Sequence, residues 1–146
     1  MKFKYYSSLE ILTTLEKQKI VKFLYDHLDQ FGDAEKDIGN AIEYAMSSYP
    51  LAGGFILTAE ENSSILGAVV MNKTGMKGYI PENVLVYIAV HRDHRGKGLG
   101  KKLMKEALRY AKGDIALHVE PENPAKFLYE NIGFTNKYLE MRLKRS

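Results

Sequence analysis

Seven nearly all apolar residues, Val84–Val90, lead through a basic, glycine-rich turn into an amphipathic segment from about Leu99 to Lys112. A strand with so few polar residues is typical of the centre of a sheet that is covered on both faces. The segment after the turn has the spacing of a helix. Strand, short turn and helix together predict parallel strand pairing in this half of the chain.

The segments around this unit extend it to the order β-α-α-β-β-β-α-β-α-β. Strands are predicted at Phe3–Tyr6, Phe55–Ala59, Ile65–Met71, Val84–Val90 and Ile115–Val119, with one more strand or a hairpin over Phe134–Leu143. Helices are predicted over Leu12–Leu28 with caps at Ser7 and Ser8, from a cap at Asp33 to about Met46, over Leu99–Lys112 and over Asn123–Asn131. The polar connection 61–64 has the length of a hairpin loop, which predicts antiparallel pairing early in the chain. The expected fold class is therefore α/β with a mixed sheet, in a single domain over residues 1–146.

Composition excludes several classes of protein. The chain has no cysteine, and hence no disulfide framework, thiolate nucleophile or thiolate metal site. No apolar run approaches the roughly 20 residues that span a bilayer, and the amino terminus lacks the apolar core of a signal peptide. We therefore expect no membrane partner and a cytoplasmic location. The formal net charge of +3 is too small to indicate a nucleic-acid partner.

The charges are unevenly distributed along the chain. Residues 91–112 contain eight Lys and Arg residues against two acidic ones, whereas residues 26–43 contain six carboxylates against one lysine. A basic surface beside an acidic one suits an anionic cofactor and a cationic acceptor. Two solvated helix faces of opposite sign would give the same pattern.

The glycine-rich turn predicts a phosphate site. Without Cβ atoms, Gly96, Gly98 and Gly100 let the backbone approach a ligand closely. The first N–H groups of the following helix lack intrahelical partners, and the helix dipole adds positive charge there. Full charges are expected from Arg95, Lys97, Lys101 and Lys102. A diphosphate fits such a set of donors.

Two common nucleotide motifs do not fit the turn. A P-loop needs Gly where Arg95 stands, and Ser or Thr where Lys102 follows Gly100-Lys101. The dinucleotide fingerprint needs glycine at Lys101, and it belongs to the first βα unit of its fold, whereas this turn comes late in the chain.

The turn instead resembles a motif of the GNAT N-acetyltransferase superfamily. Arg95-Gly96-Lys97-Gly98-Leu99-Gly100 matches the family's Arg/Gln-x-x-Gly-x-Gly/Ala, and Asn123–Phe134 resembles its Asn-x-x-Ala-x-x-Leu-Tyr-x-x-x-Gly-Phe segment. Asn123 precedes Tyr129 by six residues, where the family's longer form has seven and this chain has Glu122.

The resemblance implies a GNAT-like acyl-CoA N-acyltransferase fold, with about four helices and parallel strands that splay apart at a bulge before the glycine turn. It implies acetyl-CoA as cosubstrate, with no metal. Pantetheine would then lie along the strand and the pyrophosphate on the turn. The residues expected at the cofactor are Ile88, Ala89, Val90, Arg95, Gly96, Lys97, Gly98, Leu99, Gly100, Lys101, Asn123 and Lys126. Dimers are common in the family, so a homodimer is compatible with it, although no feature of the sequence specifies an interface.

By the same motif match, Tyr129 is the expected proton donor to the departing CoA thiolate. The group that takes the amine's proton is left open between Glu82, His118 and a chain of waters. His91 and His94 flank the glycine turn and are expected to be neighbours of solvent or phosphate.

The acceptor is expected to be a small-molecule amine held by the first two helices and the loop Gly75–Asn83. Acidic and aromatic residues there favour a basic amine: Asp33, Glu35, Asp37, Glu43 and Tyr44. Two alternatives stay open, a protein lysine or amino terminus as acceptor, and a CoA-binding sensor without turnover.

Overall fold

The computed structural model describes residues 1–145 and contains one mixed five-stranded sheet with helices on both faces. The strands are β1 Lys2–Tyr6, β2 Gly54–Glu61, β3 Ser64–Lys73, β4 Asn83–Val90 and β5 Ile115–Leu117. The helices are α1 Thr14–His27, α2 Glu35–Ala45, α3 Leu99–Tyr110 and α4 Ala125–Ile132, with 3-10 turns at Asp29–Phe31 and Arg92–His94. The order of elements agrees with the sequence prediction up to α4. In the part of the chain that the structure describes, no helix is long and apolar enough to span a membrane.

The sheet order follows the chain, β1-β2-β3-β4-β5, and only the β4–β5 pair is parallel. Asn62 and Ser63 turn β2 into β3 with φ angles of 53° and 65°, the left-handed conformation of a type I′ hairpin turn. The mixed α/β sheet predicted from the sequence is therefore confirmed.

Each face of the sheet packs its own pair of helices. On one face α1 and α2 bury residues such as Leu24 and Ile42 against Val70 of β3. On the other face α3 and α4 pack against the opposite side of β3, where Leu103 and Met71 are fully buried. Because β3 is covered on both faces, all residues from Leu66 to Met71 are buried.

Strand β4 contains a bulge that separates it from β5. Leu85 pairs with Met71 and Tyr87 with Val70, so Val86 is an extra residue on the β4 side. The pairing with β5 extends only from Asn83 to Leu85. Beyond Leu85 the two parallel strands separate, as the resemblance implied, and this separation creates the cleft described below.

Two predicted helix caps are wrong. Thr13 caps α1 in a capping box with Glu16, whereas Ser7 lies in a short turn bonded to Glu10. Ala34 is the residue before α2 and gives it no side-chain cap. Asp33 does not cap the helix because its carboxylate accepts a hydrogen bond from Tyr87 on β4.

The end of the described chain also departs from the prediction. Phe134–Leu143 contains no strand, and Leu139 and Met141 are 85% and 91% exposed. Residues 139–143 alternate apolar and polar side chains, but a strand forms only where a neighbouring backbone pairs with it. β5 is shorter than predicted, ending at Leu117, and it offers only a short edge.

Candidate active site

A cleft of about 1240 Å³ opens where β4 and β5 separate. Its walls are the connection 27–33 between α1 and α2, strand β4, the turn 94–100, the connection 118–125 into α4, and parts of the segment 136–142. Elements from both faces of the sheet therefore meet in one space. This arrangement brings the glycine turn and Tyr129 to the same cavity.

The glycine turn is built for close approach of a ligand. Gly96 and Gly98 have φ angles of 77° and 79°, which L side chains rarely adopt, and a Cβ on either would meet nothing within 4 Å. Packing therefore does not require glycine at these positions, whereas the backbone conformation does. Gly98 is the N-cap of α3, so the free N–H groups of the first helical turn start there. Lys97, Lys101 and Lys102 are exposed around it.

Gly100 differs from the other two glycines. It lies inside α3, and a Cβ there would come within 3.3 Å of Leu128 Cδ2 and 3.7 Å of Val90 Cγ2. Its lack of a side chain therefore lets α3 pack closely against α4 and β4. The three glycines thus meet two different requirements, a positive φ at Gly96 and Gly98 and close packing at Gly100.

Arg95 is bound to protein rather than left free for a phosphate. Its Nη1 lies 2.9 Å from Asp29 Oδ2, and its Nε lies 3.2 Å from the carbonyl oxygen of Val90. Arg92 binds the other carboxylate oxygen of Asp29, at 2.9 Å. These two guanidinium hydrogen bonds lower the pKa of the Asp29 carboxyl. Arg95 was expected to place its charge at the phosphate site. Its guanidinium is instead paired with Asp29, while the residue itself still lines the cleft.

Tyr129 lies on α4 and is 8% exposed. Its ring makes an edge contact with Phe134, with centroids 5.9 Å apart. Burial raises the pKa of its phenol to about 12. The hydroxyl makes no hydrogen bond to any group in residues 1–145, and the side chain borders the cleft. A buried phenol without a protein partner is suited to donating a hydrogen bond to a ligand.

The outer edge of β4 forms one wall of the cleft. Val86–Val90 border the cavity and, within the described chain, no strand pairs with them on the β5 side. Their N–H and C=O groups on that side can bind an extended ligand as a further strand.

The structure brings most of the predicted cofactor residues together and leaves others at the margin. Those lining the cleft are Ile88, Ala89, Val90, Arg95, Gly96, Gly98, Leu99, Gly100 and Asn123. Lys97, Lys101 and Lys126 are outside its lining. Asn123 Oδ1 accepts a hydrogen bond from the N–H of Ala125, 2.9 Å away, and so shapes the start of α4.

The proposed proton acceptors lie in different places. His118 borders the cleft and is exposed, one residue beyond β5. Glu82 lines a separate cavity of about 410 Å³ instead. His94 borders the cleft, whereas the ring of His91 contacts that of His27 at a tilt of 36°, with centroids 4.2 Å apart. No three His, Asp or Glu side chains among residues 1–145 lie close enough together to hold a metal ion.

Three residues of this site were not predicted from the sequence, namely Tyr87, Asp29 and His27. Tyr87 donates its hydroxyl hydrogen to Asp33 Oδ2, and both residues border the cleft. The available signal was a single hydroxyl-bearing residue in the apolar run Val84–Val90, a run otherwise read only as core.

The bulge in β4, its separation from β5 and the glycine-rich start of α3 agree with the N-acyltransferase fold that the resemblance implied. A sequence model of the Acetyltransferase (GNAT) family matches residues 12–134. The chain therefore belongs to the GNAT acetyltransferase family, and it is an N-acetyltransferase.

Two characterised relatives are similar in sequence. The 5-NmdU N-acetyltransferase of Pseudomonas phage PaMx11 is 31% identical over 102 residues, which cover 68% of this chain and 70% of that enzyme. The L-amino acid N-acyltransferase MnaT of Escherichia coli K12 is 31% identical over 110 residues, covering 71% of this chain and 63% of that enzyme.

Solved structures agree in fold at lower identity. An aminoglycoside 6'-N-acetyltransferase from Acinetobacter haemolyticus superposes with a TM-score of 0.69 at 13% identity, covering 100% of this chain and 99% of that one. The ribosomal-protein-alanine N-acetyltransferase of Brucella melitensis gives 0.65 at 18% identity, covering 100% and 99%. These likenesses support the fold alone, because their named acceptors differ widely.

Proposed function

We propose that this enzyme transfers an acetyl group from acetyl-CoA to the primary amine of a small molecule by direct attack of the amine on the thioester. The observation that supports the proposal is one continuous cleft lined by the glycine turn, the unpaired edge of β4 and Tyr129. The name of the E. coli relative, an L-amino acid N-acyltransferase, points to a small acceptor.

The residues of the cleft fit acetyl-CoA. The pyrophosphate would be held by backbone amides from Arg95 to Lys101, where Gly96 and Gly98 leave open space for it. Lys97 and Lys101 would add charge from outside the cleft lining. Ile88, Ala89 and Val90 would bind the pantetheine amides in the manner of an added strand, and Asn123 would border its path.

Acetyl-CoA supplies an activated acyl group and a thiolate leaving group. Tyr129 would donate a hydrogen bond to the departing sulfur, the general-acid role that its motif implies. Its phenol stays neutral in the physiological range because burial raises the pKa to about 12. An ordinary thiol has a pKa near 8.5. The hydrogen bond, more than complete proton transfer, would therefore stabilise the developing charge on sulfur.

The amine must lose a proton before it can attack. We assign this proton to water, because the cleft is open and wide enough for a chain of waters. His118 at its exposed rim is the alternative carrier.

The test is a thioester-cleavage screen with acetyl-CoA against small amines, peptides and intact proteins. Tyr129→Phe should lower kcat about 10²- to 10³-fold and change the Kd of CoA less than about twofold. Tyr110→Phe is the matched control, since Tyr110 is 44% exposed and lies outside the cleft, and it should leave kcat unchanged. Equal kcat values for Tyr129→Phe and the wild type would remove Tyr129 from the reaction.

The same screen separates the alternatives. Activity confined to peptides or proteins would favour a lysine or amino-terminal acetyltransferase, a class to which one relative, N-alpha-acetyltransferase 30 of Schizosaccharomyces pombe, belongs by its name. Tight CoA binding without turnover on any acceptor would favour a sensor. A cytoplasmic location and a homodimer complete the proposal, and light scattering of the purified protein measures the second.

A further inference from the structure

The structure distinguishes between the five residues that the sequence suggested for the acceptor. Glu43 pairs with Lys17, and the Tyr44 hydroxyl donates to the carbonyl oxygen of Lys73 at 2.7 Å. Glu35 and Asp37 lie on α2, outside the cleft lining. Asp33 alone of the five borders the cleft.

Tyr87 fixes the orientation of the Asp33 carboxylate. The Tyr87 hydroxyl donates to Asp33 Oδ2, and its ring is 9% exposed among the core residues under α1 and α2. Burial and the neighbouring Asp33 carboxylate raise the pKa of Tyr87, so the phenol remains a donor. Asp33 Oδ1 receives no hydrogen bond from any residue within 1–145, which leaves one carboxylate oxygen available to a ligand.

The charge of Asp33 is also uncompensated on its side of the cleft. Two carboxylates line the wall formed by the α1–α2 connection, Asp29 and Asp33. Arg92 and Arg95 neutralise Asp29. No cationic side chain in the described residues forms an ion pair with Asp33, so its carboxylate, unlike that of Asp29, has no salt bridge.

A second observation in the same cavity is independent of the acidic wall. Tyr129 on α4 also lines the cleft, is more than nine-tenths buried, and its hydroxyl has no partner within residues 1–145. The cleft is therefore lined by a phenol and by a carboxylate oxygen that no described protein group binds.

We propose that Asp33, held in place by Tyr87, binds the ammonium group of the acceptor and so selects protonated primary amines over neutral isosteres. This inference rests on the proposed function, and it assigns Asp33 a role in specificity. The carboxylate accepts an N–H of the ammonium at its free oxygen, and the proton lost before attack leaves through water as described above.

The test compares amines with their alcohol isosteres by ligand-observed NMR at neutral pH. The probes are 2-phenylethylamine with 2-phenylethanol, butylamine with butanol, and 1,4-diaminobutane with 1,4-butanediol. For at least one pair, the wild type should bind the amine about tenfold more tightly, as expected for a charge-assisted hydrogen bond. Asp33→Asn should reduce this preference to about twofold or less.

Two further variants, Asp37→Asn and Tyr87→Phe, test whether the amine preference depends on the Asp33 carboxylate itself. Asn at position 33 can still accept the Tyr87 hydrogen bond, so an unchanged thermal midpoint is expected for Asp33→Asn. Asp37→Asn removes a nearby carboxylate that does not line the cleft, and it should keep the amine preference. Tyr87→Phe should weaken the preference less than Asp33→Asn, because it frees the carboxylate to rotate without removing its charge.

The results separate this inference from the proposed function. An amine preference that persists in Asp33→Asn, or that no pair shows in the wild type, overturns the role of Asp33 even if acetyl transfer occurs. An amine preference that depends on Asp33 in an enzyme that acetylates nothing supports the ammonium site and contradicts the proposed function alone.

Discussion

The guanidinium of Arg95 lies against the carboxylate of Asp29, with Nη1 2.9 Å from Oδ2. Arg95 begins the glycine turn, whereas Asp29 begins the 3-10 turn that follows α1. Because Arg92 binds the second oxygen of Asp29, one carboxylate connects the two rims of the cleft. The position of the glycine turn therefore depends on a residue of the connection between α1 and α2.

This connection predicts that Asp29→Asn changes the affinity for CoA in the direction opposite to the one expected from charge alone. Removing a negative charge close to an anion site would strengthen CoA binding if electrostatics alone decided the affinity. We expect the opposite, a Kd for CoA about 3- to 10-fold higher, because two charge-assisted hydrogen bonds that position the turn are weakened. Asparagine is suitable because Asp29 has a φ of 54°, a conformation that Asn tolerates.

Titration calorimetry with CoA measures the effect. Asp26→Asn, which removes an exposed carboxylate paired with Lys22, is the control for charge alone. Tighter CoA binding by Asp29→Asn than by the wild type would show that Asp29 does not position the turn.

A second prediction separates the effect of a glycine's positive φ on stability from its effect on CoA binding. Gly98 and Gly78 have φ angles of 79° and 84°, and a Cβ on either would meet nothing within 4 Å. Alanine should therefore destabilise the protein similarly at both positions, by about 1–2 kcal/mol. Only Gly98→Ala should also weaken CoA binding, by about tenfold or more, because Gly98 borders the cleft and Gly78 does not. Urea unfolding and calorimetry measure the two effects, and equal CoA affinity of both variants would contradict a phosphate site at Gly98.

Local features explain what the sequence could predict. The apolar run before Gly96, the helical spacing after Gly98 and the short 61–64 connection each lie within a few residues, and each element agrees with the structure. The resemblance added what is not local, namely the separation of β4 from β5 and the position of Tyr129 beside it.

Contacts between residues far apart in the sequence could not be predicted from local patterns. Arg95 and Asp29 are 66 positions apart, and Tyr87 and Asp33 are 54 apart. Asp33 before a helix has the local pattern of a cap, and only the hydroxyl of Tyr87 directs its carboxylate elsewhere. Likewise, the alternation in residues 139–143 is that of a strand, but strand formation requires a pairing edge that a sequence pattern does not reveal.

Tyr129 predicts a loss of stability at alkaline pH. Its pKa is about 12 in the folded protein, against about 10 when exposed. A raised folded pKa means that the stability is fully present below pH 10 and is lost as the pH rises toward 12, because the unfolded chain releases the proton first. Between pH 9 and pH 11.5, the ionisation of Tyr129 alone should lower the free energy of unfolding by about 2 kcal/mol.

The measurement is urea unfolding from pH 9 to pH 11.5 for the wild type and Tyr129→Phe. Tyr6, whose pKa burial also raises to about 12, contributes to the fall in both proteins. The difference between the two proteins isolates Tyr129, and the wild type should lose about 2 kcal/mol more than the variant. Tyr110→Phe should follow the wild type, and parallel curves for the wild type and Tyr129→Phe would contradict burial of the phenol.

The last prediction concerns the closed end of the cleft, where β4 and β5 still pair. Asn83 is 2% exposed, and its Nδ2 donates to the carbonyl oxygens of Lys112 and Asp114 at 2.7 and 3.2 Å. Asn72, on the neighbouring strand, instead has a buried Oδ1 that lacks a partner among the described residues. Valine at position 83 leaves the Lys112 carbonyl oxygen without this donor, while the Asp114 carbonyl keeps its bond from the backbone N–H of residue 83. Valine at position 72 removes an oxygen that was already unsatisfied.

Asn83→Val should therefore lower the free energy of unfolding by about 2–3 kcal/mol, and Asn72→Val by less than about 1 kcal/mol. Because Asn83 joins β4 to the segment that leads into β5, its loss should also loosen the strand pair that ends at Leu85. Hydrogen exchange should then show faster exchange of the β5 amides in Asn83→Val only. Equal stabilities of the two variants, with unchanged β5 exchange, would mean that the pairing of Asn83–Leu85 with β5 closes this end of the cleft without help from the Asn83 side chain.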